Sequence, residues 1–250
     1  MDARMVVGSV QEPREAEAAG RLALLDWEAI ERALFEQGHA RIPRLLGART
    51  CEDLAALYDE DRLFRSRIVM EKHAYGSGEY RYFADPLPPV VAALRESLYA
   101  RLAPVGDRWN EAMRIKRRYP SDLAAFRAQC HAAGQTRPTP LLLRYREGDY
   151  NRLHQDIYGE HVFPLQVVAL LSEPGKDFTG GELVLTEQRA RMQSRAEVVD
   201  LGQGDAVIFA VRERPVASAR GMSRAILRHG VSRVRSGLRH TLGVIFHDAA

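Results

Sequence analysis

The chain has 250 residues, 46% of them hydrophobic and 28% charged, enough apolar material for one large packed domain and too much for an intrinsically disordered chain. Its 36 lysines and arginines against 33 acids leave a net charge of only +3, which neither requires nor rejects a polyanionic partner. Cys51 and Cys130 form no C-x-x-C pair and no run approaches roughly 18 apolar residues, so the expectation is a soluble, unprocessed cytoplasmic protein without disulfides, zinc knuckle or membrane partner.

Residues 1–20 lack a sustained period and read as a loose tail. In "DWEAIERALFEQG", Trp27, Ile30 and Leu34 recur at helical intervals between an Asp26 N-cap and Gly38. "RTCEDLAALYDED" places Thr50 three residues before Asp53, close to a capping box, with Leu54 and Leu57 on one face. The stretch 64–88 mixes aromatics, bases and glycines without a clear period; a substrate lid and a surface loop with one or two strands are both open. Two more helices are predicted, over "PVVAALRESLYARLA" and over "SDLAAFRAQCHAAG" from a Ser121 cap. After "TRPTP" the texture changes to short β-rich runs, "LLLRY", "PLQVVALLS", "GELVLTE", "AEVVDL", "DAVIFAV" and "HTLGVIFH", which read as a β-sandwich or barrel. With no linker between the halves, a helical extension over 21–135 packed on a β-core over 136–250 is expected as one integrated α+β domain.

The chemistry concentrates in "RLHQDIYGEHVF". Side chains two apart on a strand share a face, so His154 and Asp156 would project together. Such a triplet is common by chance and needs a third ligand. His229, in "LRHGVSRVRSGLRHTLGVIFHD", has the most informative surroundings: Arg239 follows ten residues later and Thr241 two after that. Two histidines and one carboxylate make the facial triad of non-haem Fe(II) oxygenases, which leaves coordination positions open. An open iron needs a reductant to activate O2; where this is 2-oxoglutarate, Arg239 supplies a planar fork for its distal carboxylate and Thr241 a hydroxyl.

"HQD", His229 75 residues after His154, and "RHT" together resemble the H-x-D…H…R-x-S/T signature of Fe(II)/2-oxoglutarate-dependent dioxygenases. The resemblance implies a double-stranded β-helix (jelly-roll) core, Fe(II) on His154, Asp156 and His229, 2-oxoglutarate on Arg239 and Thr241, and ascorbate as reductant in assays. "LRYREGDYNRLHQD" is similar to a segment of AlkB-type nucleic-acid dealkylases and implies that Tyr145 contacts 2-oxoglutarate; Leu143 stands where that family often has an asparagine. "FTGGELVLTE" and "QGDAVIF" look like strands of the prolyl-hydroxylase-like branch. The whole chain also resembles a group of bacterial oxygenases predicted to act on damaged nucleic acids. That implies oxidative demethylation of single-stranded or damaged DNA or RNA. The basic aromatic stretch 64–83 offers Tyr75, Tyr80 and Tyr82 to stack on a base and Arg65, Arg67, Lys72 and Arg81 to meet phosphates, with Tyr158 a further candidate substrate contact.

Competing readings are a protein side-chain or amino-acid hydroxylase, a zinc hydrolase, a halogenase and a non-catalytic module on the same fold. A zinc hydrolase leaves Arg239 and Tyr145 without a role. Asp156 occupies the position a halogenase would keep free for halide. His240 alternates away from Arg239 and Thr241 and reads as packed or outward-facing, while His73, His131 and His161 lack partners at ligand spacing. Gly180–Gly181 reads as a tight turn, not a phosphate loop, because no helix or lysine follows. Eight arginines between 212 and 239 fit either a phosphate-binding rim or solvated strand faces, as does "RIKRRY" at 114–119, placed on a helix.

Overall fold

The computed structural model describes residues 17–218 and 221–250. The expected loose tail lies mostly outside them, and residues 17–20 belong to a helical stretch over 17–23. The longer elements then run α1 (Trp27–Gln37), β1 (His39–Ile42), α2 (Ala48–Ala56), β2 (Phe64–Val69), β3 (Gly76–Ser77), β4 (Glu79–Phe83), α3 (Pro89–Ala112) and α4 (Leu123–Ala132). The β-rich half follows as β5 (Leu141–Arg146), β6 (Tyr150–His154), β7 (Leu165–Leu170), β8 (Phe178–Gly180), β9 (Leu183–Arg189), β10 (Arg195–Val199), β11 (Ala206–Ala210), β12 (Glu213–Ser218), β13 (Gly221–Val231) and β14 (Val234–Val244).

The helix ends show how local chemistry sets the boundaries. The Asp26 side chain accepts from Ala29 N at 3.0 Å, and Gly38 closes α1 in the left-handed region at φ 82°. Helix α2 starts one turn before the Thr50 box, from Gly47, and buries Thr50. Helix α4 is capped by Asp122, not Ser121, through Ala125 N at 2.8 Å. Helix α3 runs on through Pro104, because Leu98, Leu102 and Trp109 keep its buried face continuous. "RIKRRY" follows α3 as irregular chain from Ile115 on, so its bases lie on no helix.

The strands form two antiparallel sheets, the walls of an open jelly roll or double-stranded β-helix, making this an α+β fold with a mainly β core. The larger has the order β1-β11-β7-β14-β5-β4-β2 with β8 beside β14, and the smaller β10-β9-β13-β6-β3 with β12 beside β13. Alternation sorts the central strands β7, β11, β14 and β5 of the larger sheet between two apolar environments. Leu142, Val167, Ala169, Ile208, Leu242 and Val244 join the cluster that contains the buried residues of α1 and α3. Tyr145, Leu170, Val207 and Phe209 instead meet Leu183 and Leu185 of the smaller sheet. Burial on both sides is why β7 and β11 read as continuous apolar runs.

Three strands from the half expected to be helical, β1, β2 and β4, extend the larger sheet: β1 pairs with β11, and β4 joins β5 to β2. The sequence hides β1 and leaves the one or two strands open over 64–88 unplaced, because arginines interrupt the apolar period. Arg81 is buried over the rings of Tyr58 and Phe64 and paired with Asp61, so a charged residue occupies an inward position. The hairpin over 64–83 is hydrogen-bonded into the sheet rather than detached from it.

Candidate metal and cosubstrate site

Two strands of the smaller sheet bring the triad together. His154 ends β6 and pairs directly with His229 on β13, their ring centroids 4.2 Å apart. Asp156 lies past the end of β6, in chain of no regular structure, so its approach owes nothing to strand alternation. Its Oδ2 is 3.2 Å from His229 Nε2 and its Oδ1 3.6 Å from His154 Nε2. One ligand atom from each residue falls within 4.8 Å of the others, the geometry of three ligands around one ion.

The local backbone makes this possible. The β6–β13 register shifts between His229 and Val231, a bulge that turns Asn151 as well as His154 toward the interior. Gly230 sits at that shift, where a Cβ would come within 2.7 Å of the Asn151 carbonyl oxygen. His154 Nδ1–H donates to the Arg152 carbonyl at 2.7 Å, which turns Nε2 toward Asp156. The Tyr158 hydroxyl donates to Asp156 Oδ1 at 2.6 Å. Burial opposes ionisation of Asp156, but the hydrogen bond and charge of His229, the charge of His154 and the Tyr158 hydroxyl outweigh it and hold the carboxyl well below the usual range. Burial and His229 depress His154. Metal ligation needs a deprotonated carboxylate and imidazole nitrogens free of protons, and the shifts of Asp156 and His154 both run in that direction.

Between the sheets lies a cavity of about 300 Å³, lined by the triad and by Tyr145, Arg239 and Thr241. Arg239 and Thr241 share one face of β14, and Tyr145 pairs with Arg239 across β5. Arg239 is 2% exposed, with its guanidinium 5.5 Å from the Tyr145 ring centre and 5.8 Å from that of Phe178. Its Nε and Nη1 are buried without a hydrogen-bond partner, and burial lowers it to about 10, still protonated at neutral pH. A buried, unpartnered guanidinium reached by a cavity fits the distal carboxylate of 2-oxoglutarate, and the N2O donor set fits Fe(II). No tight turn forms at Gly180–Gly181: Gly180 ends β8, paired with Val234, and Gly181 follows in irregular chain that crosses to β9 of the other sheet, both at positive φ (72° and 65°). Gly181 lies against Arg239, where a Cβ would sit 2.9 Å from Arg239 Cδ.

Of the candidate substrate contacts, Tyr80 and Tyr158 line the cavity, with exposed Tyr75 and Ile157. Tyr82 is packed edge-on between Tyr80 and Tyr158 and does not line it. Arg65 lies over the Tyr82 ring at 4.4 Å and donates to Pro138 O at 2.8 Å, and Arg81 pairs with Asp61; neither lines the cavity. The arginine-dense stretch divides. Arg214 is buried against Glu187 and Arg239 sits in the site, Arg228, Arg233 and Arg235 are exposed, and Arg220 lies outside the described residues. His240 packs on Tyr58 at 5.8 Å and His131 pairs with Asp248 at 2.9 Å. Sequence reasoning missed two cavity residues. Asn151 donates to the Tyr145 hydroxyl at 3.4 Å, and Gln166 reaches across from β7 to His229. The available signal for Gln166 was one polar residue inside an otherwise apolar strand.

The same fold occurs in a 2OG-Fe(II) oxygenase-family oxidoreductase from Burkholderia pseudomallei, at TM-score 0.54 and 16% identity over 90% of this chain and 94% of that one. It occurs also in a Trichoplax adhaerens prolyl hydroxylase solved with a peptide of hypoxia inducible factor, at TM-score 0.55 and 14% identity over 92% and 91%. Fold and site together define an Fe(II)- and 2-oxoglutarate-dependent dioxygenase. Residues 78–249 match the family described as oxygenase, catalysing oxidative methylation of damaged DNA, and the chain belongs to that family. The uncharacterized proteins Rv2227 and MT2286 of Mycobacterium tuberculosis are each 49% identical to it over 168 residues, 67% of this chain and 72% of theirs. No described helix is long and apolar enough to cross a membrane.

Proposed function

We propose that this dioxygenase removes alkyl groups oxidatively from damaged nucleic acid. His154, Asp156 and His229 would hold Fe(II); Arg239, Thr241 and Tyr145 would hold 2-oxoglutarate. When bound, iron and 2-oxoglutarate supply the oxidising power drawn from O2, with succinate and CO2 as by-products. The chain's own residues orient these groups and keep water from them. Hydroxylation of an N-methyl group yields a hydroxymethyl that departs as formaldehyde, so the protein needs no further acid or base.

The observation that carries the reading is the family match over 78–249. The cavity agrees with it: Tyr80 and Tyr158 stand beside the triad, and Tyr75, 50% exposed, stands at its opening, with its ring stacked on His73 at 5.3 Å. Aromatic faces at an opening suit an unstacked base. Since Arg65 and Arg81 are engaged elsewhere, phosphate contacts fall to the exposed Lys72, Arg152, Arg228 and Arg233. The second reading is hydroxylation of a protein side chain, favoured by the fold shared with the prolyl hydroxylase.

The two separate in one assay. Succinate and formaldehyde are measured with Fe(II), ascorbate and 2-oxoglutarate against N-methylated single-stranded oligonucleotides and against proline-containing peptides. Equimolar formaldehyde and succinate on the oligonucleotide, with affinity falling steeply between roughly 50 and 200 mM salt, is the expected result. Succinate release on the peptide, with none on any nucleic acid, would replace this function with the hydroxylase.

A further inference from the structure

Gln166 breaks the apolar run of β7, is 1% exposed, and turns from the larger sheet into the cavity, where its Nε2 lies 3.3 Å from His229 Nε2. Its Oε1 is buried with no hydrogen-bond partner. An unpaired buried carboxamide oxygen is destabilising, and an apolar side chain would fill β7 as its neighbours do. The contact to His229 does not account for the amide either. The His229 nitrogen that faces Gln166 is the one that faces Asp156, at 3.2 Å, and so the one a metal would take. A ligated nitrogen has no lone pair left to accept an amide N–H. With a metal held on that nitrogen, the donors of Gln166 would be free and its oxygen still unpaired, in the cavity that the triad lines.

We propose that Gln166 is a positioning residue for the exchangeable ligand of the metal. Its Oε1 accepts from the water that occupies an open position, and its N–H groups donate to the 2-oxoglutarate carboxylate that replaces that water. A carboxamide does both by turning about its last bond. A glutamate in its place has no proton to donate and repels the incoming anion, and an apolar chain does neither. The inference rests on the dioxygenase assignment and adds to it a contact from the larger sheet.

The test is calorimetric titration of 2-oxoglutarate into Mn(II)-loaded protein, with Mn(II) affinity measured separately, for wild type and two variants of similar size, Gln166→Met and Gln166→Glu. Expected is a loss of about tenfold in 2-oxoglutarate affinity for Gln166→Met, a larger loss for Gln166→Glu, and Mn(II) affinity of Gln166→Met held within about twofold. Two-oxoglutarate affinity within about twofold of wild type in both variants would overturn the proposal. A fall in Mn(II) affinity of Gln166→Met as large as its fall in 2-oxoglutarate affinity would overturn it too, because Gln166 would then be a prop for His229. If wild type loaded with Mn(II) takes up no 2-oxoglutarate, the dioxygenase assignment itself fails, a result distinct from either.

Discussion

Replacing Arg239 with leucine is expected to remove cosubstrate binding and to stabilise the free protein at the same time. The guanidinium is 2% exposed and leaves Nε and Nη1 unpaired, each costing about 1–3 kcal/mol. Leucine removes both costs and keeps apolar contact with Tyr145 and Phe178, but leaves some unfilled volume. The net gain is about 1–3 kcal/mol, or a few degrees in Tm for a chain of this length. In wild type, 2-oxoglutarate at about a hundred times its Kd should add about 2.7 kcal/mol, some 5–10 °C. Losing a bidentate charge-assisted pair weakens binding by roughly 10²–10⁴, so the variant should show no such shift. The assay is thermal melting of Mn(II)-loaded protein with and without 2-oxoglutarate. An Arg239→Leu variant that keeps the 2-oxoglutarate shift would refute the assignment of this arginine.

Tyr158→Phe should lower metal affinity about 10–100-fold with little change in Tm, since it removes the hydroxyl that holds Asp156 Oδ1; unchanged Mn(II) affinity would contradict this. Gly230→Ala places a Cβ within 2.7 Å of the Asn151 carbonyl, so it should cost about 1–3 kcal/mol by denaturant melting and weaken Mn(II) binding. His240 is pushed down to about 4, by burial first and by Arg144 next. As pH falls the unfolded chain therefore takes up this proton before the folded one, and the contribution is complete above about 6.5 and lost toward about 4. Up to about 2 kcal/mol should disappear between about pH 7 and pH 5, and the loss should be smaller in His240→Gln; equal losses in both would remove His240 as the cause.

What the sequence made legible was whatever short-range chemistry determines. Asp26 and Gly38 bound α1 as their capping preferences require, and the β-rich runs after residue 140 became strands. That His154, Asp156 and His229 would meet was legible because the signature couples three residue types at set spacing. Over 64–88 one or two strands were left open but not placed, since Arg67 and Arg81 find Glu79 and Asp61 only after folding, and unpaired arginines disguise the period of β2 and β4. Arg214 misled in the same way: inside an arginine-rich run it looks like surface charge, and only Glu187, 27 residues earlier on β9, explains its burial. Gln166 and Asn151 meet the site through register and a bulge, neither of which leaves a spacing rule in the sequence.

The central claim is that one cavity holds iron on His154, Asp156 and His229 and 2-oxoglutarate on Arg239. The most direct measurement is anaerobic visible absorption of the Fe(II)-loaded protein as 2-oxoglutarate is added, because a metal-to-ligand charge-transfer band arises only when the 2-oxo acid chelates the iron. The account predicts a saturable band in wild type, its absence in His229→Ala, and its appearance in Arg239→Leu only at far higher 2-oxoglutarate. No band in wild type with Fe(II) bound, or an equal band in His229→Ala, would contradict it.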